Sequence, residues 1–381
     1  MLRQLARLTR GVERAGPRAV AIAVYADAAD RVVPAADFGL EGVACVDDAA
    51  RAAVLLCDIW AVTRVPLVRT WAEALAEFLL YMQRDDGTFV NFIVDWHGRR
   101  NENGPTSFAG GSFWQARGTR ALAKLWMVLG DERAHDALLR AMPLIREARD
   151  VPPDVRAIHA HMANELLRVG TMSQLRADLE RWCGEMLGYR RGSVLLDNRE
   201  QGEPHLWGHI QEGVLAEAGA LLDRPDFTAA ARASAIAYLA PLVERGFDEP
   251  TVQPYGVASA IYSLDKLAEV TTEAVFSDLA AKAREWFYGR NPAGVAVYDR
   301  ADGRVRDGID DGAVNEHSGA ESNIVGAQAL IDDVIAALPD DLHLVEACFA
   351  RSLTLFACGE PSLSSSPSPQ SSLPSPSSTS H

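Results

Sequence analysis

The chain has 381 residues, 48% hydrophobic and 23% charged, a globular composition with apolar material for one large core or two ordinary ones. Its 37 Lys+Arg against 52 Asp+Glu give a formal net charge of −15. That charge repels phosphate backbones and anionic lipid, which excludes nucleic acid and membrane surfaces as partners, and no apolar run approaches the roughly 20 residues that span a bilayer.

Met1 to Arg14 carries four arginines and one acid, with Leu2, Leu5 and Leu8 along one helical face. The segment has the charge of a leader, but it lacks serine and a long apolar stretch. Five cysteines, none in a C-x-x-C pair, read as reduced, mostly buried thiols. The expectation is a cytoplasmic protein.

From Val65 onward the apolar positions Leu67, Val68, Trp71, Leu75, Phe78, Leu79 and Met82 step by three and four, the stripe of a helix. Similar stretches predict helices at 47–62, 66–83, 112–129, 132–146, 154–168, 173–187, 207–222, 226–245, 254–269, 273–289, 319–337 and 341–356. Turns such as Gly130-Asp131 and Asp223-Arg224-Pro225 are short and make antiparallel neighbours. Three connections are long: Arg84 to Gly111, Gly188 to Leu206 and Gly289 to Ser318. Short turns on one side and long loops on the other predict an all-α, six-hairpin (α/α)6 toroid over residues 1–360. An all-α solenoid or irregular bundle is the alternative. Thr88 to Phe92 and Ala296 to Tyr298 suit short strands inside the loops. Pro361 to His381 is almost wholly Ser and Pro, buries nothing, and is expected to be a disordered tail.

The first predicted helix opens on Asp47 and Asp48. One acid at a helix start caps it or complements its dipole; the other, about 100° away, is free to face a central cavity. The first long loop concentrates Asn91, Trp96 and Arg99 and runs into Trp114 and Gln115. Sugars need that mixture, with aromatic faces against C–H surfaces and planar polar groups for hydroxyls, although Trp114 equally suits the core. Trp207 and Tyr255 are further candidate platforms. His205 and His209 are spaced to share a helix face with Glu212 beyond them, but no strong third ligand accompanies them, so no metal is assigned. The last long loop carries Arg290, Asn291, Glu316, His317 and Glu321. One glutamate suits capping or solvent and the other a catalytic acid, with His317 beside them to tune a carboxylate or bind a hydroxyl. The chain has no P-loop, G-x-G-x-x-G, G-x-S-x-G or H-E-x-x-H motif, and no cofactor is implied.

These residues resemble a bacterial family of six-hairpin, glycosidase-like proteins. Its V-D-D-N-A-R-A-like, N-F-like, W-F-x-G-x-N and N-E-x-x-G-A-E-S motifs match Val46 to Ala52, Asn91-Phe92, Trp286 to Asn291 and Asn315 to Ser322. Members often sit beside genes for glycosyltransferases and mannoside phosphorylases, which implies a carbohydrate context. Two departures mark this chain: Ala49 replaces a common Asn, and Thr106 to Gly111 lacks an acid that many relatives carry. More distantly, Tyr288 to Pro292 followed by Asn-Glu is similar to inverting cellulases of glycoside hydrolase family nine. By that analogy Asp47 or Asp48 is the base and Glu316 or Glu321 the acid.

The expected function is hydrolysis of an oligosaccharide by two carboxylates, with inversion. Two other classes remain: a sugar epimerase or lyase with His209 or His317 as base, and a non-catalytic glycan-binding accessory of a glycosyltransferase system.

Overall fold

The computed structural model describes residues 1–29, 31–33, 41–197 and 204–357; the Ser/Pro segment 361–381 lies outside them. The described residues form a closed ring of helical hairpins. The inner helices are α2 (Val46–Thr63), α4 (Ser112–Leu129), α6 (Pro153–Arg168), α8 (Gln211–Leu222), α11 (Pro254–Thr271) and α13 (Ala320–Ala329). They pack side by side in that order, and α13 returns to α2. Outside them lie α3 (Pro66–Met82), α5 (Glu132–Glu147), α7 (Leu175–Leu187), α9 (Pro225–Ser234) with α10 (Ala240–Glu244), α12 (Ala274–Arg284) and α14 (Ile331–Ala357). This is the expected (α/α)6 toroid.

Local chemistry explains the reversals. Four inner helices, α2, α4, α8 and α11, end on a left-handed residue: Arg64 (φ 58°), Gly130 (φ 70°), Asp223 (φ 57°) and Thr272 (φ 57°). That conformation stops a helix and turns the chain within a residue or two. Pro66 and Pro225 then open α3 and α9, where a missing N–H costs nothing. The Asp131 side chain caps α5 by accepting from the Arg133 and Ala134 N–H groups. These four hairpins therefore return quickly, and all six inner helices point the same way.

Small sheets tie the long loops to the starts of inner helices. Phe92–Ile93 of the first loop pairs antiparallel with Ala44–Cys45, immediately before α2. Gly308–Asp310 of the last loop pairs with both Ala313–Asn315 and Thr251–Val252, the latter just before α11.

Four boundaries differ from expectation. Helix α8 starts at Gln211 and not at 207, because Gly208 takes a left-handed conformation (φ 73°) that a helix cannot contain. His205 and His209 therefore do not share a helix face. The last hairpin turns at Leu330, and Pro339 rides inside α14. The helix expected at 226–245 is interrupted by a π turn, Ala235–Leu239, just before Pro241, whose ring cannot sit under a regular i−4 carbonyl. The helix expected to run to 289 gives way to a 3₁₀ turn at Glu285–Tyr288. At the other end of the chain, Leu2–Leu8 forms α1, which packs against α13 and α14 with Leu2, Leu5 and Leu8 buried. Leu5→Ala is expected to cost about 2–5 kcal/mol of stability, read by urea unfolding. An unchanged midpoint would show that this helix contributes nothing to the ring.

Candidate active site

The inner helices start around one mouth of the bore, and the first turns of α2, α4, α11 and α13 line a cavity of about 690 Å³. Cys45 caps α2 through its sulfur, which accepts the Asp48 N–H at 3.5 Å. Asp47 and Asp48 follow in the first turn. Asp47 pairs with Arg117 of α4 at 3.0 Å, and its backbone N–H donates to the Asn91 side chain at 3.2 Å. Asp48, only 2% exposed, pairs with Arg51 at 2.7 Å and accepts from the Cys45 thiol at 3.3 Å. The Arg51 guanidinium also binds Glu321, in the first turn of α13. Acids from opposite ends of the chain thus meet on one cation. Arg117 donates to the Tyr255 hydroxyl at 2.6 Å, and Arg51 lies 5.1 Å from the centre of the same ring. These three residues floor the cavity.

Its walls are aromatic. Trp207 is 43% exposed and stacks on His205 with ring centres 4.0 Å apart. Trp114 is both packed and cavity-lining. It is largely buried, with its indole N–H donated to the Phe89 and Phe108 carbonyls, yet it lines the cavity beside Phe113. His317, Asn91 and Tyr255 line it too.

Seven expected residues lie elsewhere. Glu316 is 62% exposed and bound to Arg306, because it follows the Ala313–Asn315 strand on the side turned away from the bore. Trp96 packs against the core, and its carbonyl accepts from the Glu13 N–H. Arg99 pairs with Asp95 on the surface. Gln115 is buried and locks the first loop, accepting from the Phe89 N–H at 2.9 Å and donating to the Gly87 carbonyl at 3.1 Å. Arg290 is held by Glu285, and Asn291 ties its own turn through the Trp286 and Val295 carbonyls. His209 is fully buried between Asp197 and Glu212, outside the cavity. Among the described residues no group of three or more His, Cys, Asp or Glu is placed to hold a metal ion, and no helix is long and apolar enough to cross a membrane.

Several cavity residues were not anticipated. Arg51 and Arg117 stand three residues after Asp48 and Trp114, so helical spacing alone places them on the same face. Asp307 carries no such signal. It reaches the cavity only because its loop folds back, bringing the Gly319 N–H to its carboxylate at 2.8 Å. In the segment Thr106 to Gly111, Glu41 accepts from the Thr106 N–H and hydroxyl, each at 2.8 Å.

The carboxyls are pushed apart electrostatically. Burial raises Asp48 despite the opposing Arg51. Burial likewise raises Asp307 against the hydrogen bonds from Gly319 and Ser322. At Glu321 burial is outweighed by Arg51 and then Arg117, which hold it below the usual carboxylate range. Glu321 is 43% exposed, but to the cavity, so the two guanidiniums dominate its surroundings. Helix N-termini around the mouth add to the positive potential.

No protein-family model and no curated protein sequence matches the chain. Solved structures do. A sugar epimerase from a ruminal bacterium superposes with TM-score 0.66 at 11% identity, over 87% of this chain and 94% of that one. A D-mannose isomerase gives TM-score 0.66 at 10% identity over 88% and 96%. The family 9 endoglucanase J30 gives 0.53 at 15% over 87% and 83%. The chain shares the (α/α)6 architecture of these proteins.

Two predictions follow from the buried charges. Arg51→Met leaves Asp48 uncompensated and is expected to cost about 3–5 kcal/mol, part of it regained in Arg51→Met/Asp48→Asn, where Glu321 keeps Arg117 nearby. Equal unfolding midpoints of the single and double variants would contradict the pairing. Burial alone would lower His209, but Glu212 and Asp197 raise it from 6.5 to about 10. The stability it contributes is complete below about pH 6.5 and is lost as pH rises through about 10. The stability gap between wild type and His209→Gln should therefore narrow from pH 6 to pH 10 in chemical unfolding.

Proposed function

We propose that this chain is a carbohydrate-active enzyme and that it hydrolyses a glycosidic bond in the 690 Å³ cavity, with inversion. One observation carries the reading: two carboxyls share the cavity while their surroundings drive them in opposite directions, Asp307 towards the protonated form and Glu321 towards the ionised form. Such divergence separates an acid from a base. Asp307 would give its proton to the glycosidic oxygen as the C–O bond breaks. Glu321 would take a proton from the water whose oxygen attacks the anomeric carbon. This reverses the role expected for Glu321 and drops Glu316. Arg51 holds the charge of Glu321 in place, which suits polarising a water better than forming a covalent sugar ester. Trp207, Trp114 and Phe113 would cover the sugar faces, and Asp47, Asn91 and His317 would bind hydroxyls. The structural neighbours, a sugar epimerase and an endoglucanase among them, support a sugar substrate.

A second reading rests on the floor. Two guanidiniums and the Tyr255 hydroxyl there would stabilise an enediolate oxygen, as an epimerase or isomerase of reducing sugars needs. In that case His317, and not the buried His209, is the available base.

Proton NMR of a panel of oligosaccharides, mannosides included, and of free reducing sugars in D₂O separates the two. The hydrolase releases new reducing ends with inverted anomers and leaves C2 protonated. The epimerase exchanges deuterium into C2 and cuts nothing. Asp307→Asn and Glu321→Gln are each expected to lower kcat about 100- to 10,000-fold. Full activity in either variant removes that residue from the chemistry, and sugar binding without turnover in every variant and in wild type favours a glycan-binding accessory.

A further inference from the structure

Below the Arg51–Arg117–Tyr255 floor the bore opens again into a second chamber of about 580 Å³. All six inner helices contribute their later turns to it, from Val54 of α2 to Gln328 of α13. The volume falls within the roughly 300–1,000 Å³ of small-molecule sites. Val169, 59% exposed, marks its outward mouth. None of the carboxyls proposed for hydrolysis lines it.

The wall is a belt of ion pairs running from helix to helix. Asp58 of α2 meets Lys124 of α4 at 2.6 Å, and Lys124 and Arg120 meet Glu165 of α6 at 2.8 and 3.0 Å. Arg168 of α6 binds Glu217 of α8. Glu217 in turn accepts from the Tyr262 hydroxyl at 2.8 Å and meets Lys266 of α11 at 3.5 Å. Asp265 completes the lining charges, held from outside by Arg284. A belt whose only task was to staple the barrel would be better closed over apolar side chains, since paired charges taken out of water rarely gain net stability. This one is left facing open space.

The chemistry of the lining selects its occupant. Four carboxylates, Asp58, Glu165, Glu217 and Asp265, stand against four cations, Arg120, Lys124, Arg168 and Lys266. The two floor arginines are already matched by acids of the upper chamber. A balanced wall favours neither an anion nor a cation. Its paired groups keep spare capacity: an ammonium has three donors, and Asp58, 37% exposed, engages Lys124 through Oδ1. Between the charges lie Ile158, Ile261 and the Tyr262 ring, which packs 4.7 Å from His161. Alternating planar donors and acceptors with small apolar faces match a hydroxyl-rich neutral molecule.

We propose that the lower chamber is a second binding site, distinct from the candidate active site, that takes a neutral mono- or disaccharide against the ion-pair belt. It touches the upper chamber only through Arg51, Arg117 and Tyr255. It does not require the hydrolase reading.

Isothermal titration of the full chain with D-mannose, D-glucose and cellobiose tests it. The proposal expects a saturable binding event, separate from any in the upper cavity, that Val128→Trp, which fills the lower mouth, removes and that Trp207→Ala, in the upper cavity, leaves in place. Lys266→Met, whose partner Glu217 keeps Arg168 and Tyr262, is expected to weaken it about tenfold. Inorganic phosphate should not displace the sugar. A folded, inactive protein with this pattern refutes the hydrolase reading and leaves the lower site standing. The proposal fails if no saccharide binds, if phosphate competes, or if binding survives Val128→Trp and disappears in Trp207→Ala.

Discussion

The ring is closed by one guanidinium. Arg51 sits on the first inner helix and binds Asp48, three residues before it, and Glu321, which the chain reaches only 270 residues later. Packing of α13 on α2 brings the helices together, but an apolar contact alone tolerates sliding. A cation shared by two acids does not, because a shift that breaks the Asp48 contact leaves an unpaired charge away from water. Arg117 repeats the device between α2 and α4 through Asp47. The same contacts that fix the ring set the ionisation of Glu321, so closure and the proposed chemistry share their residues.

Helix direction then sorts the charges along the bore. All inner helices begin at the upper mouth, where their N-terminal ends favour anions, and Asp47, Asp48 and Glu321 occupy first turns there. Their C-terminal ends gather at the lower mouth and favour cations, and Arg120, Lys124, Arg168 and Lys266 lie in the later turns. Carboxylates on those later turns are matched across to the neighbouring helix. The barrel therefore presents a mouth where acids stand with unequal proton affinities and a mouth where charge cancels.

Much of the ring was legible because it is periodic. Apolar steps of three and four, Gly and Asp at the turns and Pro at the next first turn fixed hairpins to within a few residues, and two adjacent acids at a helix start marked one side of the cavity. Legibility fell where backbone conformation overrides pattern. Nothing in His205 to His209 announces that Gly208 delays the helix, and the spacing of the two histidines suggested a shared face that does not exist. In the last loop, Glu316 and Glu321 look alike in sequence. They separate because one follows a strand pointing outward and the other enters a helix. Asp307 is one of several aspartates between Asp302 and Asp311, and nothing in the pattern singles it out; the sheet joining Gly308–Asp310 to Thr251–Val252 and the Gly319 N–H carry it to the bore.

The division of labour between ring and loops bears on why the fold alone does not name the reaction. The ring supplies Asp47, Asp48, Arg51, Arg117 and Tyr255, a preformed charged floor that an epimerase and a hydrolase can both use. The proposed proton donor comes from a loop, as do the Trp207 platform and His317. A bond-cleaving chemistry needs that donor above the floor; a proton-abstracting one needs a base there. The Gly319 N–H, itself the cap of α13, holds Asp307 to the same helix that presents Glu321. The proposed acid and base are thus mounted on a single helix start, and a change in the path of the last loop would alter their pairing without disturbing the barrel.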